Sequence, residues 1–234
     1  MFTYLAKRTG MAFVNQNVEV LLEMAKHAAV HTWFYGDKLE EVHGKILSVQ
    51  PFVECMLYFE QEAIEIQTHL IGEYNFLNIL SAAAIGFFMN IPLQDVADAL
   101  TTYKPDNNRS QVEIMDGREV IFDAYNANPT SVAHAIKYFS ELQKSKKWVV
   151  LGDMWELGDA AQSEHQAIVD QLTTCDFDEV ILVGEIYKET SRPTQFKWFR
   201  SYVEVKAWLT SVESKDAIVL VKGSRGMQLE KVFK

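Results

Sequence analysis

The chain has 234 residues, 48% of them hydrophobic and 23% charged, with a net charge of −10 at pH 7. That composition suits a globular protein with one large or two modest cores, and it excludes a non-specific binder of nucleic acid, which needs basic surface. No apolar run approaches the ~18 residues of a membrane span, and Met1 to Phe13 has no long apolar h-region or small-residue cleavage site, so a cytoplasmic protein without membrane insertion is expected.

In chain order, Ala12 to Asn15 is a short apolar run. Glu19 to Ala29 has helical spacing, with Val20, Leu21, Met24 and Ala28 on one face. Thr32 to Tyr35, Val42 to Val49, Glu54 to Glu60 and Ala63 to His69 read as strands, with Gln61-Glu62 as the turn of a hairpin between the last two. The two cysteines, Cys55 here and Cys175 far downstream, form no CxxC pair and read as free thiols. Asn75 to Met89 predicts a long buried helix, Asn90-Ile91-Pro92 ends it, and Leu93 to Thr102 predicts another.

Tyr103 to Ser110 (YKPDNNRS) is polar, holds Pro105 and reads as a linker, dividing the chain into 1–107 and 108–234. Val112 to Met115 and Val120 to Phe122 then predict a hairpin around Asp116-Gly117. After it strands and helices alternate. Helices are predicted over Thr130–Gln143, Gln162–Thr173 and Val203–Val212, with a last one from Met227. Strands are predicted over Trp148–Leu151, Glu179–Val183, Phe196–Phe199 and Ala217–Val221. Such alternation implies βαβ units, hence a doubly wound α/β domain with a parallel sheet covered on both faces.

Five constellations carry possible chemistry. Asn75 and Asn78 share a helix face, and a carboxamide offers the paired donor and acceptor that fit an adenine edge; helix capping is the plain alternative for Asn75. Arg109 stands in the linker, either as a solvated arginine or as a fork for a phosphate or carboxylate. FDAYNANPTS, Phe122 to Ser131, opens a βα loop at the carboxyl edge of a sheet, where α/β folds bind ligands. Its Asp123 is placed to accept ribose hydroxyls; Asn128-Pro129 reads as a helix cap; Tyr125 and Asn126 are not explained by capping. LGDMWELG, Leu151 to Gly158, with Glu164-His165 behind it, reads as a structured substrate-positioning loop and matches no metal motif. VKGSRG, Val221 to Gly226, puts Lys222, Ser224, Arg225 and glycine amides at a predicted helix start, an anion site or a plain loop. No GxxxxGK[ST] phosphate loop occurs, nor a GxGxxG after a strand, which sets aside a dinucleotide-binding domain.

Taken in order, GEYNFLN, the linker arginine, DAYNANPTS, LGDMWELG and VKGSRG resemble the Mur ligases, most closely the MurF branch, the UDP-N-acetylmuramoyl-tripeptide:D-alanyl-D-alanine ligases of peptidoglycan synthesis. The resemblance covers essentially the whole chain but only the C-terminal half or so of such an enzyme. It implies the last part of a central ATPase domain over 1–107 and a complete Rossmann-like C-terminal domain over 108–234. It assigns Asn75 and Asn78 to the adenine, Arg109 to the nucleotide phosphates and Asp123 to the ribose. Tyr125, Asn126, Asn128, Lys222, Ser224 and Arg225 would face the acceptor substrate. ATP, Mg²⁺, UDP-MurNAc-tripeptide and D-Ala-D-Ala belong to the full enzyme, with most phosphate and metal ligands outside this sequence. Two positions depart from the family pattern: Tyr74 where His is usual, and Asn108 where Gly is usual.

The expected role is one portion of an ATP-dependent ligase, inactive alone, whether an excised piece or a truncated gene. A non-catalytic nucleotide- or partner-binding relic is the alternative, favoured by the missing phosphate loop and opposed by the intact loop motifs.

Overall fold

A computed structural model describes the chain except residues 9, 29, 38–41, 107–109 and 213–215. Arg109 and Asn108 therefore lie outside the described residues. Two compact units divide the chain, Met1–Lys104 and Pro105–Lys234. Both cysteines are free. Among the described residues no helix is long and apolar enough to cross a membrane.

The first unit runs α1 (Phe2–Ala6), β1 (Met11–Asn15), α2 (Glu19–Ala28), β2 (His31–Gly36), β3 (Val42–Ser48), β4 (Glu54–Phe59), β5 (Glu62–Gln67), α3 (Asn75–Phe88) and α4 (Leu93–Thr102). Its sheet has the order β1-β2-β3-β4-β5, parallel through β3 and antiparallel after it. Period-2 alternation sends Cys55, Leu57 and Ile66 to one face, where they meet Phe76, Ile79, Leu80 and Ala83 of α3. The opposite face of β1 and β2 is closed by α1 and α2, with Ala12, Val14 and Phe34 against Leu5, Leu21, Leu22 and Ala25. The β4–β5 turn is Glu60-Gln61, one residue earlier than predicted, because Phe59 pairs with Glu62 and Glu60 takes the left-handed conformation (φ 55°).

The second unit runs β6 (Gln111–Met115), β7 (Arg118–Asp123), α5 (Pro129–Glu141), β8 (Lys147–Gly152), α6 (Ala161–Thr173), β9 (Glu179–Val183), α7 (Glu185–Lys188), β10 (Lys197–Phe199), α8 (Tyr202–Thr210) and β11 (Ile218–Lys222). The sheet order is β10-β9-β8-β11-β7-β6, parallel except for β6. Asp116 and Gly117, both with positive φ (50° and 80°), make the two-residue turn that joins β6 to β7. The chain leaves β7, winds outward through β8, β9 and β10, and returns to insert β11 between β7 and β8. That return places α8 and the C-terminal turns over Val120, Phe122, Val150, Val219 and Val221. The insertion puts the ends of β7, β11 and β8 side by side.

Two segments depart from the sequence reading. The chain after Met227 forms no α-helix; it makes two short 3-10 turns, Arg225–Met227 and Leu229–Val232, separated by Gln228 at φ 53°. Leu229, Val232 and Phe233 reach the core from these turns, so packing rather than helix propensity sets their geometry. The single-turn α7 and the short α1 carry too little periodicity to be read from sequence.

Candidate functional site

The register aligns Lys222 of β11 with Asp123 of β7 on one side and with Leu151 of β8 on the other. Three loops thus leave the carboxyl edge together. β8 and β11 are followed by connections that run to opposite faces, the arrangement that opens a crevice for ligands in α/β sheets.

Asp123 and Lys222 form an ion pair at 2.5 Å, with side chains 14% and 2% exposed. The Lys222 ammonium also lies 3.4 Å from the carbonyl oxygens of Asp123 and Asn126. A buried ammonium with three acceptors is satisfied. Lys222 therefore pins the start of the 124–128 loop, and its charge is spent on Asp123. Among the described residues the other Asp123 oxygen, Oδ1, accepts no hydrogen bond.

Asn126 folds onto its own loop, its Oδ1 accepting from the Ala127 amide (2.9 Å). Asn128 is the N-cap of α5: its Oδ1 accepts from the Ser131 amide (2.8 Å), and its own amide donates to Ser131 Oγ (3.2 Å), with Pro129 next. Tyr125 is half-buried and carries the exposed Arg225 guanidinium 5.1 Å above its ring. With Lys222 neutralised and no α-helix following, Arg225 is the cation that this loop presents to solvent.

The β8 and β11 loops are tied to each other. The Trp155 amide donates to Ser224 Oγ (2.8 Å), and the Ser224 amide donates to the Asp153 carbonyl (3.2 Å). The Trp155 ring lies over Gly226, 2.0 Å from where a Cβ would stand, so a side chain there would have to displace the ring.

Asp153 and His165 support this edge from behind. The Asp153 carboxylate accepts from the Ile186 and Tyr187 amides (3.0 and 3.1 Å) at the start of α7. His165 is fully buried. Its Nε2 accepts from the Met154 amide (2.9 Å), which leaves Nδ1–H to donate to the Ala161 carbonyl (2.7 Å). This pair of bonds fixes the neutral tautomer. Burial lowers the His165 pKa from its ordinary 6.5 and raises that of Asp153. The 3.8 Å approach of the two is therefore not an ion pair. The sequence placed Asp153 and His165 near the loop but gave them no role; their twelve-residue offset was the only signal.

In the first unit Asn75 is buried at the start of α3, not at its cap, which is Tyr74. Asn75 Nδ2 donates to the Ile71 carbonyl (2.8 Å), and Asn75 Oδ1 accepts from Asn78 Nδ2 (2.9 Å). Asn75 is thus committed internally and orients Asn78, which is exposed. Gly72 at φ 80° brings the chain into this turn, with the Tyr74 ring 2.5 Å from where a Cβ would be. Asn75 and Asn78 belong to one unit, Asp123, Tyr125, Asn126, Asn128, Lys222, Ser224 and Arg225 to the other.

Residues 1–86 match the Mur ligase middle domain, and residues 108–225 match the glutamate ligase domain of Mur ligases. The chain is 34% identical over 175 residues to the UDP-N-acetylmuramoyl-tripeptide–D-alanyl-D-alanine ligase of Bacillus subtilis, covering 70% of this chain and 38% of that one. Its fold is similar to the crystal structure of MurF from Acinetobacter baumannii (TM-score 0.85, 23% identity, 98% of this chain and 53% of that one). It is also similar to MurF from Thermotoga maritima in complex with ADP (TM-score 0.80, 18% identity, 95% and 52%). The chain spans 38% of the curated relative and about half of each solved structure.

Proposed function

The chain belongs to the Mur ligase family, and from that premise we propose that it is the nucleotide- and acceptor-facing portion of a MurF-type ligase. In this reading the complete enzyme joins D-Ala-D-Ala to UDP-MurNAc-tripeptide in the cytoplasm. A carboxylate takes the γ-phosphoryl of ATP, and the dipeptide amine attacks the acyl phosphate and expels phosphate. The observation that carries it is the convergence of the Asp123–Lys222 pair, the Ser224–Trp155 tie and the Arg225–Tyr125 stack on one sheet edge.

Each unit by itself holds residues with the chemistry for one part of a nucleotide. Asp123 Oδ1 is open to accept a ribose hydroxyl while Lys222 holds Oδ2. Asn78, oriented by Asn75, has the chemistry to meet an adenine edge. Arg109, Tyr125, Asn126, Asn128, Ser224 and Arg225 are assigned to phosphate or acceptor by family position. They do not fit a resident Mg²⁺: among the described residues no three His, Cys, Asp or Glu stand together to hold an ion. Phosphoryl transfer rests on positioning and charge neutralisation. Those parts are assigned to a segment outside this sequence, since no GxxxxGK[ST] occurs in it.

ADP release is measured with ATP, UDP-MurNAc-tripeptide and D-Ala-D-Ala. The 234-residue chain alone is expected to give none. Fusion to the leading part of the Bacillus subtilis ligase is expected to restore it. Turnover by the chain alone overturns the division of labour. A fusion that folds and stays silent favours the relic, the reading supported by the missing phosphate loop. The ribose assignment is tested on the active fusion by comparing ATP with 2′,3′-dideoxy-ATP. The preference for ATP should disappear in Asp123→Asn.

A further inference from the structure

Of the five tryptophans only Trp155 is exposed (47%). It stands in the loop after β8, and the roles assigned so far leave its ring without a task. A lone exposed aromatic is ordinary on a protein surface, but this one is held in place. The amide of Met154, just before it, donates to buried His165 (2.9 Å), and its own amide donates to Ser224 Oγ (2.8 Å). The ring lies against Gly226, whose missing side chain gives it a seat.

Ser224 and Gly226 flank Arg225. Arg225 is exposed, its guanidinium rests 5.1 Å above the Tyr125 ring, and among the described residues no carboxylate pairs with it. The run 224–226 therefore holds Trp155 by its amide and its ring and presents an unneutralised cation between those two anchors. All of these residues lie in one unit.

The pair defines an occupant by its chemistry. A guanidinium meets a carboxylate through two parallel hydrogen bonds. A fixed indole offers apolar area at little entropic cost. Phosphates carry several charges, and packing them against an indole strips water that the ring cannot replace. A single carboxylate beside a small apolar group fits better, and the C-terminal end of D-Ala-D-Ala is a carboxylate on a carbon that bears a methyl.

We propose that Trp155 is a specificity-determining residue for the acceptor: its ring receives the C-terminal methyl of D-Ala-D-Ala while Arg225 holds the adjacent carboxylate, and the ring limits the side chain accepted there. This rests on the proposed function and adds a residue and a size rule to it.

The test uses the 234-residue chain with three dipeptides. Indole N–H signals of the nitrogen-15-labelled protein locate the contact, with the Trp155 signal identified by its loss in Trp155→Phe; calorimetry gives the affinities. D-Ala-D-Ala is expected to move the Trp155 signal saturably. D-Ala-Gly, which lacks the methyl, should bind about fivefold more weakly, less than a closed apolar pocket would give. Amidated D-Ala-D-Ala should bind about tenfold more weakly, through loss of the charged hydrogen bonds to Arg225. Trp155→Ala should erase the preference for D-Ala-D-Ala over D-Ala-Gly and keep the preference for the free carboxylate; Arg225→Gln should do the reverse. Trp155→Ala should also bind D-Ala-D-Leu more tightly than wild type does. Trp155→Phe keeps a ring and should keep the methyl preference, which separates contact from a loosened loop. An unmoved Trp155 signal, a signal moved by ATP and not by the dipeptide, or a methyl preference that survives Trp155→Ala overturns the proposal, even where the active fusion joins D-Ala-D-Ala and the ligase reading stands. The expected binding pattern beside a folded but silent fusion leaves the Trp155 assignment intact and counts against the ligase reading alone.

Discussion

Asp123 and Lys222 stand ninety-nine positions apart in the chain and share one ion pair at the sheet edge. Removing one partner of a buried pair strands the other, at a cost of about 3–5 kcal/mol. Lys222→Met is expected near the low end, because Asp123 keeps some solvent contact. Asp123→Asn should cost more, because the ammonium it leaves behind is nearly fully buried. The double variant Asp123→Asn/Lys222→Met should be more stable than either single variant. Urea melts of the four proteins measure the coupling; additive losses would show that the pair does not interact. His165 gives a prediction in pH. Its folded pKa lies below its unfolded value of 6.5, so the unfolded chain binds the proton first. Its contribution is complete above pH 6.5 and is lost as pH falls toward the folded value, at no more than about 1.4 kcal/mol per pH unit for one proton. Asp153 works with the opposite sign: its raised pKa adds stability as pH falls toward 3.8. His165→Gln separates them. Its stability should be flatter than wild type just below pH 6.5, and an unchanged slope would show that His165 titrates normally.

Among the elements, α5 offers the cleanest measurement. Its capping box joins Asn128 and Ser131 on an exposed turn, so Asn128→Ala should cost about 1 kcal/mol and little else. If Asn128 also touches substrate, the active fusion will show a raised KM for D-Ala-D-Ala beyond that loss; a KM unchanged at constant stability assigns Asn128 to capping alone. The cap was legible because its signal is local: Asn, Pro and Ser within four positions. The parallel strands β8, β9 and β11 were legible because burial on both faces makes each a run of Val, Leu and Ile. The C-terminal helix expected from Met227 was not formed, because Leu229, Val232 and Phe233 answer to the β-sheet they cover. α7 was invisible for a related reason. Its first amides are held by Asp153, thirty-three residues upstream at Ile186, and no local pattern announces such a partner. The same holds for the site: Asp123 and Asn128 could be placed from their own loop, while the neutralisation of Lys222 and the internal commitment of Asn75 required coordinates.

At the scale of the whole molecule the division at Lys104/Pro105 falls inside the polar stretch Tyr103–Ser110, where turn formers and Pro105 interrupt the helical pattern of α4. Each unit has its own apolar core: α3 on the first sheet, and α8 with the C-terminal turns on the second. Residues 101–104 are exposed, and Tyr103 shows half of its surface. Proteases cut where backbone is accessible and free of regular structure. Tyr103 closes α4 in an extended conformation and is the aromatic residue nearest the boundary. Brief chymotrypsin treatment should therefore cut first after Tyr103, separating residues 1–103 from 104–234. Mass spectrometry identifies the cut. The C-terminal fragment should survive longer, because its sheet edges β6 and β10 are charged or short, whereas the N-terminal fragment keeps the uncharged edge β1. First cleavage at exposed Trp155, in the loop tied down by Ser224, would show that this loop opens more readily than the boundary and that the site is less fixed than its hydrogen bonds imply.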